Sequence, residues 1–515
     1  MTVDLRASGR HLGMLGFILT GAILVVAAFA AVDLARGVEA ERAALSALLI
    51  AAGVCAVTAL TLVLVGLRGT HRFGQREALL LVVAAWLVGA AMSALPYRLW
   101  AVMRPDAGLT PHDFDTFVNC YFEAMSGLTT TGATVLQSIG TVPRSLLLWR
   151  GVTHWLGGLG IVVLFVAVLP LLGIGGRRVY RIEATGPTPE GVTPRIQDAA
   201  RILWMIYVAL TVTEVVVLRV CGMGWLDATC HTFATLATGG FSTQDASIAA
   251  YPSTAVHVVV IVFMVIAGVN FGLYYQLLQR RWRSVVADTE LRAYLLVILV
   301  GTAIVGVSLW HTRTAAVTAS GDHASAALVA RDAAFQVVSI QTTTGFCTDD
   351  FDAWGFAAKA TLVLLMFVGA STGSTGGGIK VFRVVLAVKV ILAEIEHVFR
   401  PQVVRTLKLG NKTINPDLKL NTLAFVMGIG GLFTAGTVGL MLFESSRGID
   451  ITTAATAAAA TLNNIGPGLA KVGATHNYAW FTASSKSLMC VLMLLGRLEV
   501  YPILVLMLPR FWRSE

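Results

Sequence analysis

Residues 121–134 read YFEAMSGLTTTGAT, and this stretch decides how the rest of the chain must fold. It is too polar to face lipid and too apolar to form an aqueous loop. Residues 121–128 have the character of a short helix. Thr129, Thr130, Thr131 and Gly132 then suit an extended backbone whose carbonyls all point one way. Glycine supplies backbone angles that a side chain forbids. One such loop cannot close a ring of oxygens, so the rest of the chain has to repeat it.

Three further copies follow. Residues 231–243 read HTFATLATGGFST, residues 333–347 read AAFQVVSIQTTTGFC, and a more worn copy at 452–467 reads TTAATAAAATLNNIGP. Aligned on the glycine, the later quartets are Ala237-Thr238-Gly239-Gly240, Thr342-Thr343-Thr344-Gly345 and Asn463-Asn464-Ile465-Gly466. The glycines at 132, 240, 345 and 466 stand 108, 105 and 121 residues apart. Self-similarity at a near-fixed period marks a repeat architecture. Four tight turns between packed helices need not recur at such an interval. A ring of carbonyl oxygens can take the place of the water shell of a potassium ion, and sixteen residues in four loops suffice for one.

Composition sets the surroundings. The 515 residues are 56% hydrophobic and 13% charged, with mean hydropathy +0.75. Soluble proteins are about 25% charged, so the chain is read as a polytopic membrane protein. Its net charge of +9 does not indicate nucleic acid. The arginines lie in short connections between apolar segments, which is the positive-inside pattern. The six cysteines show no metal-ligand spacing and read as small apolar residues.

Taken in order, two spans at about 12–32 and 44–67 precede the first repeat and form an added N-terminal domain, 1–75. The unit of span, pore loop and span then occurs four times, in domains 76–178, 179–284, 285–415 and 416–515. The outer spans fall at about 78–95 and 147–172, 202–220 and 256–278, 291–310 and 359–389, 420–443 and 488–508. The expected fold is thus all-α, with four pseudo-repeated helix–pore loop–helix units around a central pore plus two extra N-terminal transmembrane helices. Non-helical backbone at membrane depth is tolerated only where protein buries it or water lines it, so the four loops must share an axis. Placing both termini in the cytoplasm puts Arg68, Arg72, Arg76, Arg177, Arg178, Arg280, Arg281 and Arg283 inside with most of the other cations.

The third repeat departs from its siblings. Its second span is interrupted at 369–378 by GASTGSTGGG, with Ile379 and Lys380 after it. Glycine in a helix interior costs about 1 kcal/mol against alanine. Two readings fit: a gate built from Gly373, Ser374, Thr375, Gly376, Gly377, Gly378 and Lys380, or a plain kink that lets helices approach. It is no P-loop, because Ile379 separates Gly378 from Lys380.

These residues resemble the Trk/Ktr/HKT superfamily of potassium transporters over about 78–508. The likeness rests on FEAMSGLTTTGAT, ATGGFST, QTTTGF, LNNIGPG and GASTGSTGGGIK, with Trp149-Arg150-Gly151, His154-Trp155 and Gly157-Gly158 in the first repeat. The two extra spans are similar to those of its bacterial TrkH branch. The resemblance implies one pore, with Gly132, Gly240, Gly345 and Gly466 lining its filter and the 373–380 region as intramembrane gate. It implies Arg497 as the pore-facing arginine of the last helix. It also implies a homodimer in the bacterial inner membrane and a cytosolic, TrkA-type nucleotide-binding regulatory subunit, so that nucleotide acts only through that partner. The chain itself is expected to hold no cofactor, with potassium as substrate. Within the superfamily a serine in place of the first-loop glycine goes with sodium preference, so Gly132 points to potassium. Asn463, Asn464 and Ile465 depart from the threonine pattern and imply a filter of lower symmetry and looser selectivity.

Several polar residues carry two readings. Arg497, in LMLLGRLEVYP, is either an electrostatic barrier to cations or a structural partner of a carbonyl or acid; Glu499 is too close along a helix to face it. Glu214 reads as a structural hydrogen bond and His154 as a packing histidine rather than a proton relay. Asp349, Asp350 and Asp352 either gather cations at an outer mouth or do nothing specific. The basic stretch 400–419 is a docking surface for the cytosolic partner or for inner-leaflet lipid. The leading function is potassium uptake through a selective, gated pore. The alternative is a potassium symporter coupled to sodium or protons, which needs discontinuous helices at matching positions in two halves; only the third repeat shows a break in its sequence. No Ser/His, paired-Asp or HExxH arrangement in the spans supports an enzyme.

Overall fold

The computed structural model describes residues 4–67, 74–163, 196–320, 325–401, 408–409, 412–414 and 416–512. Helices α1 (Leu5–Ala35) and α2 (Glu41–Gly66) form an N-terminal hairpin along whose interface the side chains nearly vanish. A Cβ on Gly13 would stand 2.6 Å from the Ala59 carbonyl, and one on Gly66 2.6 Å from the Arg10 nitrogen. Small residues permit this backbone-to-backbone approach where apolar burial supplies little drive between helices in lipid.

The hairpin is fastened to the repeats by charge. Helix α3 (Gln75–Met103) opens the first repeat, α4 (Phe117–Leu128) is its short inner helix and α5 (Arg144–Val163) closes it. Buried Asp33 pairs with Arg144 at 2.8 Å, and Glu41 accepts the Ser145 amide at 3.1 Å. Both acids therefore meet the first turn of α5, where amides lack helical partners and negative charge is favoured.

The second repeat comprises α6 (Ile196–Val220), short α7 (Trp225–Leu236), and α8 (Thr254–Ala267) with α9 (Phe271–Leu278). A five-residue helix, α10 (Trp282–Val286), leads to the third repeat. That repeat holds α11 (Thr289–Ser320), α12 (Ala326–Gln341), α13 (Phe356–Leu365) and α14 (Val381–Phe399). The fourth holds α15 (Pro416–Phe443), α16 (Ile451–Leu462), α17 (Ala483–Arg497) and α18 (Tyr501–Met507). Among the described residues six helices are long and apolar enough to cross a membrane, or up to eight if each bent pair is one span. A pair of two-residue strands, Lys408–Leu409 and Lys412–Thr413, is the small exception to an all-α chain. The rest of 400–419 largely lies outside the described residues.

One expectation is corrected. The third repeat is not alone in having a broken second span. Helices α8 and α9 meet at 91° across Gly268-Val269-Asn270, and α17 and α18 at 117° across Leu498-Glu499-Val500. The first break is capped: Asn270 accepts the Gly272 amide at 2.7 Å. The second holds Glu499 and Val500 at φ +55° and +65°, an outlying conformation for a β-branched residue.

Replacing Gly13 by valine is expected to force α1 from α2 and cost about 1–3 kcal/mol. Thermal unfolding of the detergent-solubilised protein reads this as a lower midpoint; an unaltered midpoint would show that the interface is slack.

Candidate functional site

The short helices α4, α7, α12 and α16 are buried, and all end alike. Past α4, Thr130 N donates to Gly127 O and Thr131 N to Ser126 O; past α7, Thr238 N donates to Thr235 O and Gly239 N to Ala234 O. Thr343 N and Thr344 N bond Ile340 O and Ser339 O past α12, and Ile465 N bonds Ala460 O past α16. This is the Schellman closure, whose left-handed residue is usually glycine. Here it is Thr130, Thr238, Thr343 and Asn464, at φ +52°, +55°, +61° and +55°. A left-handed residue with a side chain costs about 1–2 kcal/mol, and two of the four side chains offset part of it through bonds to other segments. The Thr343 hydroxyl accepts the Gly377 amide at 2.6 Å, and Asn464 donates to the Thr131 hydroxyl and the Met493 carbonyl, each at 3.0 Å.

Two residues further on, Gly132, Gly240, Gly345 and Gly466 are again left-handed, at φ +78°, +77°, +82° and +95°. Each lies against the next loop. A Cβ on Gly132 would fall 2.0 Å from Gly239 O, one on Gly240 2.0 Å from Thr344 O, and one on Gly345 1.9 Å from Ile465 O. One on Gly466 would fall 2.7 Å from Thr131 O, which returns to the first loop. The loops therefore form a closed cycle in which every glycine packs on the third-position carbonyl of its neighbour. All sixteen residues of the four quartets come together. The fourth loop keeps the backbone conformation despite its different side chains, and differs in the wider spacing of its contact with the first.

Buried side chains hold the cycle from behind. Thr129 and Thr131 hydroxyls bond at 2.8 Å, and Thr342 and Thr344 repeat the contact at 2.8 Å. Tyr478 donates to Gly466 O at 2.7 Å. His154 contacts Gly127 O through Nδ1 at 2.7 Å and accepts the Phe241 amide through Nε2 at 3.2 Å, so it ties loops one and two as a packing residue. Sequence reasoning quoted Arg150 without giving it a role. Its Nε donates to Glu123 at 2.8 Å, its Nη1 to Ser242 O at 3.0 Å, and its guanidinium lies 4.1 Å from the Phe241 ring centroid. Glu123 also accepts the Val135 amide at 2.9 Å and the Thr134 hydroxyl at 3.0 Å. An intramembrane Arg and Glu in one sequence were the available signal; their pairing needed the fold.

The glycine-rich segment between α13 and α14 lies against the cycle. Its neck is backbone-paired: Gly369 N donates to Ile379 O at 2.9 Å and Val381 N to Ala370 O at 3.2 Å. A Cβ on Gly377 would fall 2.5 Å from Asn463 O, and one on Gly376 3.0 Å from Thr342 O. The Gly373 carbonyl accepts Phe271 N at 3.1 Å, at the break in the second repeat. Arg497 donates to Thr375 O at 2.8 Å and Gly157 O at 3.2 Å, joining repeats one, three and four. Lys380 donates back to Gly376 O within the segment. Glu499 indeed turns from Arg497 and pairs with Arg383 at 2.5 Å. Gly376, Gly377, Gly378, Lys380, Arg497 and Glu499 line one small cavity.

Other residues do not join the site. Asp349 pairs with Arg313 at 2.7 Å, Asp350 accepts the Asp352 amide at 3.1 Å, and Asp352 accepts the Ala470 amide at 3.0 Å. Buried Glu214 lies apart from the cycle, beside the Thr235 hydroxyl. All six cysteines are free.

Removing one partner of a buried ion pair strands the other and costs about 3–5 kcal/mol. Arg150→Ala is accordingly expected to lower the unfolding midpoint sharply, and adding Glu123→Gln to recover part of it. Equal midpoints for wild type and Arg150→Ala would show that the pair supports nothing.

The TrkH family profile, described as cation transport protein, matches residues 97–514. The Trk system potassium uptake protein TrkH of Escherichia coli (strain K12) is 38% identical over 446 residues, 85% of this chain and 86% of its own length. The protein of that name from Halomonas elongata is 37% identical over 471 residues, 91% and 92% of the two lengths. The crystal structure of the potassium transporter TrkH from Vibrio parahaemolyticus matches with a TM-score of 0.84 at 30% identity, covering 99% of both chains. The chain belongs to the TrkH family of cation transport proteins.

Proposed function

We propose that this protein takes up potassium through a selective, gated pore, and that the four loops are its filter. The observation that carries this reading is the closed cycle of glycine-to-carbonyl contacts, in which each loop brings its third-position carbonyl against the glycine of its neighbour. Such oxygens can substitute for the hydration shell of a potassium ion. Relatives named Trk system potassium uptake proteins support the choice of ion. The filter then comprises the quartets ending at Gly132, Gly240, Gly345 and Gly466. The segment 373–378 with Lys380 is the gate beneath it, and Arg497 holds that gate shut while placing positive charge beside the passage. Charged groups at membrane depth face a bundle interior or a water-filled cavity, and pathways for ions are among the places they mark. As in the system its relatives' names imply, the chain works with other components: a second copy of itself, a cytosolic nucleotide-binding subunit and inner-membrane lipid. Both termini lie on the cytoplasmic side.

A symport reading has one specific observation in its favour. The breaks at 268–270 and 498–500 fall at matching places in repeats two and four, which is the kind of discontinuity transporters use at their binding sites.

Purified protein in liposomes separates the two. Flux that reverses at the potassium Nernst potential is the expected result; flux that requires a sodium or proton gradient would replace the pore by symport. In the same assay Gly132→Ser is expected to admit sodium, because its Cβ meets Gly239 O at 2.0 Å and must displace a ring oxygen. An unchanged potassium-to-sodium permeability ratio would remove loop one from the filter.

A further inference from the structure

The neck of the gate segment is held by a residue outside it. Glu290 stands in the first turn of α11, a different helix of the third repeat, directly after the α10 elbow. One oxygen, Oε1, accepts the Thr372 amide at 2.6 Å and the Phe382 amide at 3.2 Å. These amides belong to the two ends of the segment, on either side of its backbone-paired neck. The start of α11 is itself fixed, because Asp288 accepts the Leu291 amide at 2.7 Å. Phe382 also lies in the first turn of α14, where unsatisfied amides favour an acid.

We propose that Glu290 is a positioning residue that latches the gate: its carboxylate clasps both ends of the 372–382 segment and so ties gate position to the α10–α11 elbow. The inference rests on the gate reading above. Hydrogen bonds to a charged group hold more strongly than neutral ones, and here two converge on one atom. The second repeat also holds the segment, at Ala267 O, Gly268 O and Phe271 N, and Thr343 and Arg497 hold its tip; Glu290 adds a tie across the neck from the third repeat. The elbow offers a lever: Arg280, Arg281, Trp282 and Arg283 are exposed there, where a cytosolic partner or lipid headgroups can press.

The test measures basal potassium flux and reversal potential in liposomes for the full chain. Glu290→Ala is expected to raise basal flux by about tenfold or more with the reversal potential unmoved. Glu290→Gln, which keeps an acceptor oxygen in place, should restore most of the restraint. A merely structural glutamate would instead lower the unfolding midpoint and flux together, and that result overturns the latch. Deleting 373–378 serves as the control. If the deletion raises flux and Glu290→Ala does not, the gate stands and the latch falls. If the deletion leaves flux at the wild-type level, the gate reading itself fails. Should Glu290→Ala not fold, Glu290→Asp decides: its shorter side chain cannot span both amides, and unaltered flux would overturn the proposal.

Discussion

Everything in this molecule depends on glycine backbone meeting carbonyl backbone at four joints, three of them near 2 Å. A carbonyl oxygen about 2 Å from where a Cβ would sit leaves room for hydrogen alone. That constraint fixes the residue type at 132, 240 and 345 more firmly than any hydrogen bond could. It also explains why each loop must leave its short helix by a left-handed turn: only such a turn reverses the chain sharply enough to bring the next glycine to its neighbour. The unfavourable angle at each threonine is thus part of the ring's construction. The Thr343 hydroxyl and the Asn464 amide return some of that cost through bonds to Gly377 and Thr131, whereas the Thr238 hydroxyl bonds only its own neighbour's carbonyl.

A second layer of interactions keeps this strained ring in place. Loops one and two lean on His154 and on the Arg150–Glu123 pair; loop four leans on Tyr478 and α17. Loop three is different, because besides Ser339 and Ser247 it leans on the glycine-rich segment. The element proposed to move is therefore also one that underlies the third loop, and the cycle and the segment are mechanically continuous. Arg497 belongs to both descriptions: it bonds carbonyls, as a structural residue does, yet the carbonyls it bonds lie on the segment and on Gly157 of the first repeat.

Much of this was legible in residues alone. Apolar runs bounded by arginines located the spans, though the ends placed at 310 and 389 fall ten residues short of Ser320 and Phe399 and the end placed at 172 lies outside the described residues, and the period of the Thr/Gly quartets gave the four loops. The break at 369–378 announced itself through its glycines. The breaks at 268–270 and 498–500 did not, and the reason is physical. Leu498-Glu499-Val500 contains no helix-breaking residue; its left-handed angles persist with the Arg383 ion pair, a contact across 116 residues. Gly268 is a single glycine in an apolar run, and the Tyr294 hydroxyl, which a Cβ there would meet at 2.3 Å, comes from another repeat. Asn463-Asn464-Ile465 suggested a divergent loop, yet backbone geometry proved common to all four because helix termination, not side-chain identity, dictates it. Glu290 was invisible because its partners are amides, which every sequence possesses.

The joint between loop four and loop one differs from the rest in looseness and in origin. Its glycine-to-carbonyl spacing is 2.7 Å where the others are near 2 Å, and it joins the two most distant quartets in the chain. During synthesis the first three quartets precede the fourth, so the cycle cannot close before the last one is made. Only the last quarter to leave the ribosome can seal that seam. The protein must therefore shelter an unfinished polar arc inside the bilayer until its C-terminal helices arrive, and assembly is committed at its final step.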